Sequence, residues 1–196
     1  SYYDGPFNNE NGPSMKHYFN EVSYEMLTVN TIHYPECAPE SNLSYQDGYP
    51  RSYYQPYNTV TNPSGYENDS QRTEREHELL MNAVSFIADE VPDTLNIDAD
   101  DDGNVDNVTF LVYGQPGGWA DLLWPHRWAL YSVQSYINDK RVWDYNFNLS
   151  SGPYFSVGTL CHEFCHSLGA PDLYHYYDDS APVAVGGWDV MDASTD

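Results

Sequence analysis

The segment Cys161-His162-Glu163-Phe164-Cys165-His166-Ser167-Leu168-Gly169-Ala170-Pro171-Asp172 constrains this chain more than any other. Its spacing predicts a helix from about Val157. On that helix His162 and His166 stand about 40° apart around the axis and one turn apart along it. Val157, Leu160, Cys161, Phe164 and Leu168 fall on the opposite side as one apolar stripe. One face therefore presents two imidazoles, and the other must enter a core. Gly169 tolerates the left-handed conformation that ends a helix, and Pro171 forbids its continuation. The chain has to reverse just after the second histidine.

That geometry has a chemical consequence. Two imidazole nitrogens one turn apart converge on one Zn²⁺ at about 2.0–2.1 Å. The reversal returns Asp172 as a third, oxygen ligand; His175 is its rival, three residues further on, but the turn brings Asp172 round first. Glu163 lies about 100° from His162, beside the metal without ligating it. A general base for an attacking water belongs at that place.

A second segment, Asp98-Ala99-Asp100-Asp101-Asp102-Gly103-Asn104-Val105-Asp106, has Ca²⁺-loop spacing. Asp98, Asp100, Asp102, Asn104 and Asp106 are its expected calcium ligands, and Gly103 allows the sharp bend. Thr109 replaces the bidentate glutamate of an EF-hand and a strand follows, so an EF-like loop is expected rather than a true EF-hand. An acidic turn held by Asx hydrogen bonds is the alternative. Crowded aspartates repel one another unless a cation neutralises them, which favours calcium.

The other elements are read from periodicity. Leu79, Leu80, Ala83, Val84 and Ile87 mark an amphipathic helix over 73–90, stopped by Pro92. The run 108–113 reads as a buried strand. A short helix is expected over 16–24 and a strand over 26–29, with further strands at 128–137 and 141–147. Prolines 35, 39, 50, 56 and 63 make 34–70 a surface excursion with short strands, or else a tyrosine-lined recognition surface.

The 196 residues include 7 basic and 30 acidic side chains, a formal charge of −23. Such a field repels nucleic acid and anionic lipid and favours cations. No stretch approaches the roughly 18 apolar residues of a membrane span. The first 30 residues lack a basic start followed by an apolar run; a processed or trimmed chain is expected if the protein is exported. Three cysteines exclude a fully paired framework. Cys161 and Cys165 suit buried apolar positions, and a bridge from Cys37 to either stays open.

The motif His162-Glu163-x-x-His166-x-x-Gly169-x-x-Asp172, followed by Gly186-Gly187-Trp188-Asp189-Val190-Met191-Asp192, resembles the immune-inhibitor-A-like family of secreted bacterial metallopeptidases, in the metzincin clan. Segments 14–24 and 124–128 are similar to that family's early helix and its tryptophan–histidine segment. The resemblance implies an α+β fold: a twisted mixed sheet with a backing helix and the active-site helix packed on it, and a small irregular lobe over about 173–196. It implies one catalytic domain over 1–196, trimmed, at its two ends, of the family's first strand and final helix. It implies Met191 as an apolar floor under the metal, and no tyrosine follows Met191 closely. His126, in Trp124-Pro125-His126-Arg127-Trp128, is either a residue near the cleft or a packed structural histidine. His17, His33 and His77 read as structural or surface residues.

The functional expectation is a secreted zinc endopeptidase with Glu163 as general base, acting on protein or peptide. The alternative is a catalytically silent zinc- and calcium-binding domain of a larger secreted or surface protein.

Overall fold

The structure, a computed structural model, describes residues 2–5, 12–36, 43–177 and 180–192. Cys37 lies outside them. The fold is α+β: three α-helices, five short strands and three single turns of 3₁₀ helix among the described residues. The chain divides into two compact units, residues 1–32 with 150–196, and residues 33–149.

The first unit is helical. Helix α1 (Met15–Val22) starts at Ser14, whose Oγ accepts from the His17 amide at 3.1 Å. Helix α3 (Val157–Ser167) is capped the same way, with Ser156 Oγ accepting from the Thr159 amide at 3.2 Å. Each cap satisfies one amide that the helix start leaves unbonded. The two helices pack through a cluster containing Met15, Phe19, Val157, Leu160 and Cys161, with Phe164 beside it. The Phe19 and Phe164 rings meet edge-on at 5.2 Å, the arrangement favoured by the ring quadrupole. Cys161 is thus a core residue, and no disulfide joins it to Cys165.

Two expectations fail in this unit. The predicted stripe stops short, because Leu168 is 54 % exposed. It is the C-cap, where the chain already leaves the helical path. The predicted strand over 26–29 is absent. Tyr24 and Glu25 adopt positive φ after α1, and Ser23 Oγ accepts from the Leu27 amide at 2.8 Å. The segment is tied back to the helix end rather than offered to a sheet.

The second unit carries the sheets. Helix α2 (Asp69–Ile87) begins four residues before the predicted start. Asn68 Oδ1 accepts from the Gln71 amide at 3.0 Å, and Gln71 Oε1 accepts from the Glu67 amide at 2.9 Å. Apolar spacing alone does not reveal this polar first turn. Strands β1 (Val108–Val112), β2 (His126–Ala129) and β5 (Asp144–Leu149) form one mixed sheet in the order β1-β5-β2, parallel between β1 and β5 and antiparallel between β2 and β5. Strands β3 (Tyr136–Ile137) and β4 (Lys140–Arg141) form a separate hairpin. The broad predictions at 128–137 and 141–147 therefore resolve into four shorter pieces.

The run at 108–113 was expected to be buried. Instead β1 is an edge strand, and Leu111 is 47 % exposed. The fully enclosed strand is β5, whose Tyr145, Phe147 and Leu149 join Leu80 and Val84 of α2 in the core. Asn146 and Asn148 on its other face are buried too. In the proline-rich stretch, Tyr54 and Tyr66 also enter this core. Among the described residues the stretch forms a 3₁₀ turn at Arg51–Tyr54 and isolated bridges, with no strand.

Candidate metal centre

Helix α3 ends in a Schellman arrangement. The Gly169 amide donates to the His166 carbonyl at 3.0 Å, and the Ala170 amide donates to the Cys165 carbonyl at 3.0 Å. Gly169 sits at φ +93°, a conformation that costs a side-chain-bearing residue strain. This reversal delivers Asp172 to the helix face that bears the histidines.

Three atoms converge there. Asp172 Oδ1 is 3.0 Å from His162 Nε2 and 3.4 Å from His166 Nε2, and the two Nε2 atoms are 3.2 Å apart. Both Nδ1 atoms face backbone carbonyls: His162 faces Val190 O at 2.8 Å, and His166 faces Ala170 O at 2.8 Å. A carbonyl only accepts, so each Nδ1 carries hydrogen, and Nε2 is the nitrogen each ring turns toward Asp172. Asp172 Oδ1 is buried and receives no hydrogen bond. Two imidazole nitrogens and a carboxylate oxygen thus point at one small volume, a donor set suited to a divalent cation.

The spacing is informative about which charge. Ligand atoms about 2.0–2.1 Å from a tetrahedral zinc ion lie about 3.3 Å from one another. The observed separations bracket that value. Anchoring of the far imidazole nitrogen by a carbonyl is the usual support of a metal-ligating histidine. Donor types, spacing and anchoring all fit zinc.

The predicted rival is elsewhere. His175 Nε2 lies 3.2 Å from Pro182 O, on an exposed stretch. Glu163 is buried, at 6 % exposure, one position after His162 on α3. Met191 is buried, and its carbonyl accepts from the Leu173 amide at 2.9 Å. The Val190–Met191 strip therefore fixes His162 on one side and the residue after Asp172 on the other.

Two tyrosines not singled out from the sequence complete the surroundings. Tyr176 Oη donates to Asp172 Oδ2. Partial burial, then the hydrogen bond to Asp172 and its charge, push the Tyr176 hydroxyl up to about 12; the Glu163 charge adds a smaller push. The Tyr174 ring lies nearly parallel to His162 at 6.2 Å and contacts the Tyr176 ring at 5.0 Å. Their alternate spacing in Tyr174-His175-Tyr176 was the available signal.

In the acidic loop the expected calcium ligands divide into two sets. Asp98, Asp100 and Asp106 bring carboxylate oxygens within 4.8 Å of one another. Asp102 and Asn104 turn to each other instead, with Asn104 N and Nδ2 donating to Asp102 at 2.7 and 2.9 Å. The Lys140 ammonium contacts Asp98 Oδ2 at 2.5 Å, and the Gly103 and Asp102 amides also donate to Asp98. The Lys140 hydrogen bond leads the causes that hold the Asp98 carboxyl below its ordinary range. The chain supplies one counter-cation itself, from 42 residues away.

His126 belongs to a buried polar group in the second unit. Its Nε2 is 2.8 Å from Glu76 Oε1, and its Nδ1 is 2.6 Å from Trp124 O. Both ring nitrogens thus face oxygens, one a backbone carbonyl and one a carboxylate. It stacks on Phe147 at 5.2 Å, and Tyr145 Oη donates to the same Glu76 oxygen. Burial raises the Glu76 carboxyl, but the charge and hydrogen bond of His126, helped by Tyr145, outweigh it and hold the group below its ordinary value. Next to it His77 is buried against Ser132, and burial lowers its pKa.

No protein-family model matches the chain and no curated protein matches it. Among the described residues no helix is long and apolar enough to cross a membrane.

Proposed function

We propose that this protein is a zinc-dependent endopeptidase. The observation that carries the reading is the convergence of His162 Nε2, His166 Nε2 and Asp172 Oδ1 within 3.4 Å of one another, with buried Glu163 next after His162 on the same helix. Those three atoms would hold the ion. When bound, zinc supplies a Lewis acid and brings the pKa of a coordinated water to about 7.

The chain's own residues do the rest. Val190 and Ala170 carbonyls orient both imidazoles with Nε2 turned toward Asp172. Glu163 takes the proton from the attacking water and delivers it to the departing amine. Its burial keeps the carboxylate out of bulk water, where proton transfer to solvent would compete. The likeness to immune-inhibitor-A-like metallopeptidases supports a secreted bacterial protein with a protein or peptide substrate.

Calcium is the second part of the proposal. Asp98, Asp100 and Asp106 supply the hard oxygens such an ion requires, and it must share or displace the Lys140 contact.

The test is hydrolysis of a quenched fluorescent peptide mixture by the metal-loaded protein and by Glu163→Gln. Turnover should fall by about 10²–10⁴-fold in the variant, with zinc content unchanged. Bound zinc without hydrolysis in the unmodified protein would favour a silent metal-binding domain. Equal loss of zinc in the variant would make Glu163 a ligand.

A further inference from the structure

The two oxygens of Asp172 have different surroundings. Oδ1 is buried, receives no hydrogen bond and faces both imidazole Nε2 atoms. Oδ2 accepts the Tyr176 hydroxyl. A carboxylate near a cation can offer one oxygen or both. Offering both fills an additional coordination position, which a hydrolytic site needs open. An oxygen already accepting a strong hydrogen bond is a poorer second ligand, and its direction is fixed.

We propose that Tyr176 is a positioning residue that ties down Asp172 Oδ2, so that Oδ1 alone serves the metal. The inference rests on the zinc reading and adds the device that sets the coordination number. Tyr174 supports it: its ring touches the Tyr176 ring at 5.0 Å and lies along His162 at 6.2 Å, which limits where the Tyr176 ring can move. Asp172, Tyr174 and Tyr176 stand at alternate positions in the irregular stretch past Gly169.

Tyr176 is 48 % exposed, so removing its hydroxyl leaves the cores of the fold intact. The experiment compares the unmodified protein, Tyr176→Phe and Tyr177→Phe, whose ring is 94 % exposed. Each is loaded with cobalt(II) in place of zinc, its visible absorption is recorded, and zinc affinity is measured by competition with a chromophoric chelator. The unmodified protein and Tyr177→Phe should show the intense bands of four-coordinate cobalt. Tyr176→Phe should show the weaker bands of a five-coordinate ion, and its zinc affinity should fall by about 10–100-fold, the usual cost of losing such a support. A Tyr176→Phe protein with the unmodified spectrum and zinc affinity within about twofold would overturn the positioning role alone. An unmodified protein that takes up neither zinc nor cobalt would overturn both this role and the peptidase reading.

Discussion

Asp172 Oδ1 lies 3.0 Å from His162 Nε2, whose ring is held from the other side by the Val190 carbonyl. With Nδ1 occupied by Val190 O, His162 Nε2 and the buried Asp172 Oδ1 are the atoms placed to share an ion. Asp172→Ala should therefore remove both zinc and activity. His175→Ala should retain zinc affinity to within a few-fold, because His175 faces Pro182 O. Zinc titration against a chelator checks both variants; the opposite ranking would transfer the ligand role to His175.

Gly169 controls delivery of that carboxylate. A Cβ added there meets no atom within 4 Å, so Gly169→Ala costs backbone strain alone. At φ +93° the expected loss is about 1–2 kcal/mol. Denaturant unfolding of the zinc-free protein should read that loss, and zinc affinity should fall with it. Full stability and full affinity in the variant would show that another residue sets the reversal.

The Glu76–His126 pair predicts acid sensitivity of the second unit. Glu76 has a depressed pKa in the fold, so its contribution is present above the unfolded carboxylate value and is lost as pH falls through the folded one. His77 is also depressed, so it binds its proton more readily when unfolded. Stability should begin to fall below about pH 6.5 from His77 and fall further below about pH 4.5 from Glu76. Glu76→Gln should cost about 1–3 kcal/mol at neutral pH, since it removes the buried carboxylate that both His126 Nε2 and Tyr145 Oη contact. Urea unfolding across pH 4–8 measures both, and a flat profile would contradict the pairing.

Calcium should stabilise the loop at 98–106 beyond what Lys140 achieves. At 100 times the dissociation constant the expected rise in Tm is about 5–10 °C. Asp98→Asn should abolish the rise, since Asp98 is the buried member of the cluster. A calorimetric scan unmoved by calcium would leave Lys140 as the loop's sufficient counter-charge.

Much of the first unit was legible in the sequence because its determinants are local. His162, His166, Gly169 and Asp172 span eleven residues, related by one helix and the glycine reversal that ends it. Helix α2 was legible through its apolar spacing, though its start depended on the Asn68 cap. What stayed hidden depends on partners distant along the chain. Glu76 meets His126 across 50 residues, and Lys140 reaches Asp98 across 42. No periodicity encodes either contact. Leu168 fitted the apolar stripe by angle, but the helix ended one residue too early to bury it. Val108–Val112 has the composition of an enclosed strand, yet only pairing order decides that β5 takes the central place.

Zinc-edge anomalous diffraction from crystals of the zinc-loaded protein tests the central claim most directly. The account predicts one strong peak about 2.0–2.1 Å from each of His162 Nε2, His166 Nε2 and Asp172 Oδ1, with Glu163 outside bonding distance. A peak bonded to His175 or Glu163 in place of Asp172, or no peak between the two histidines, would contradict it.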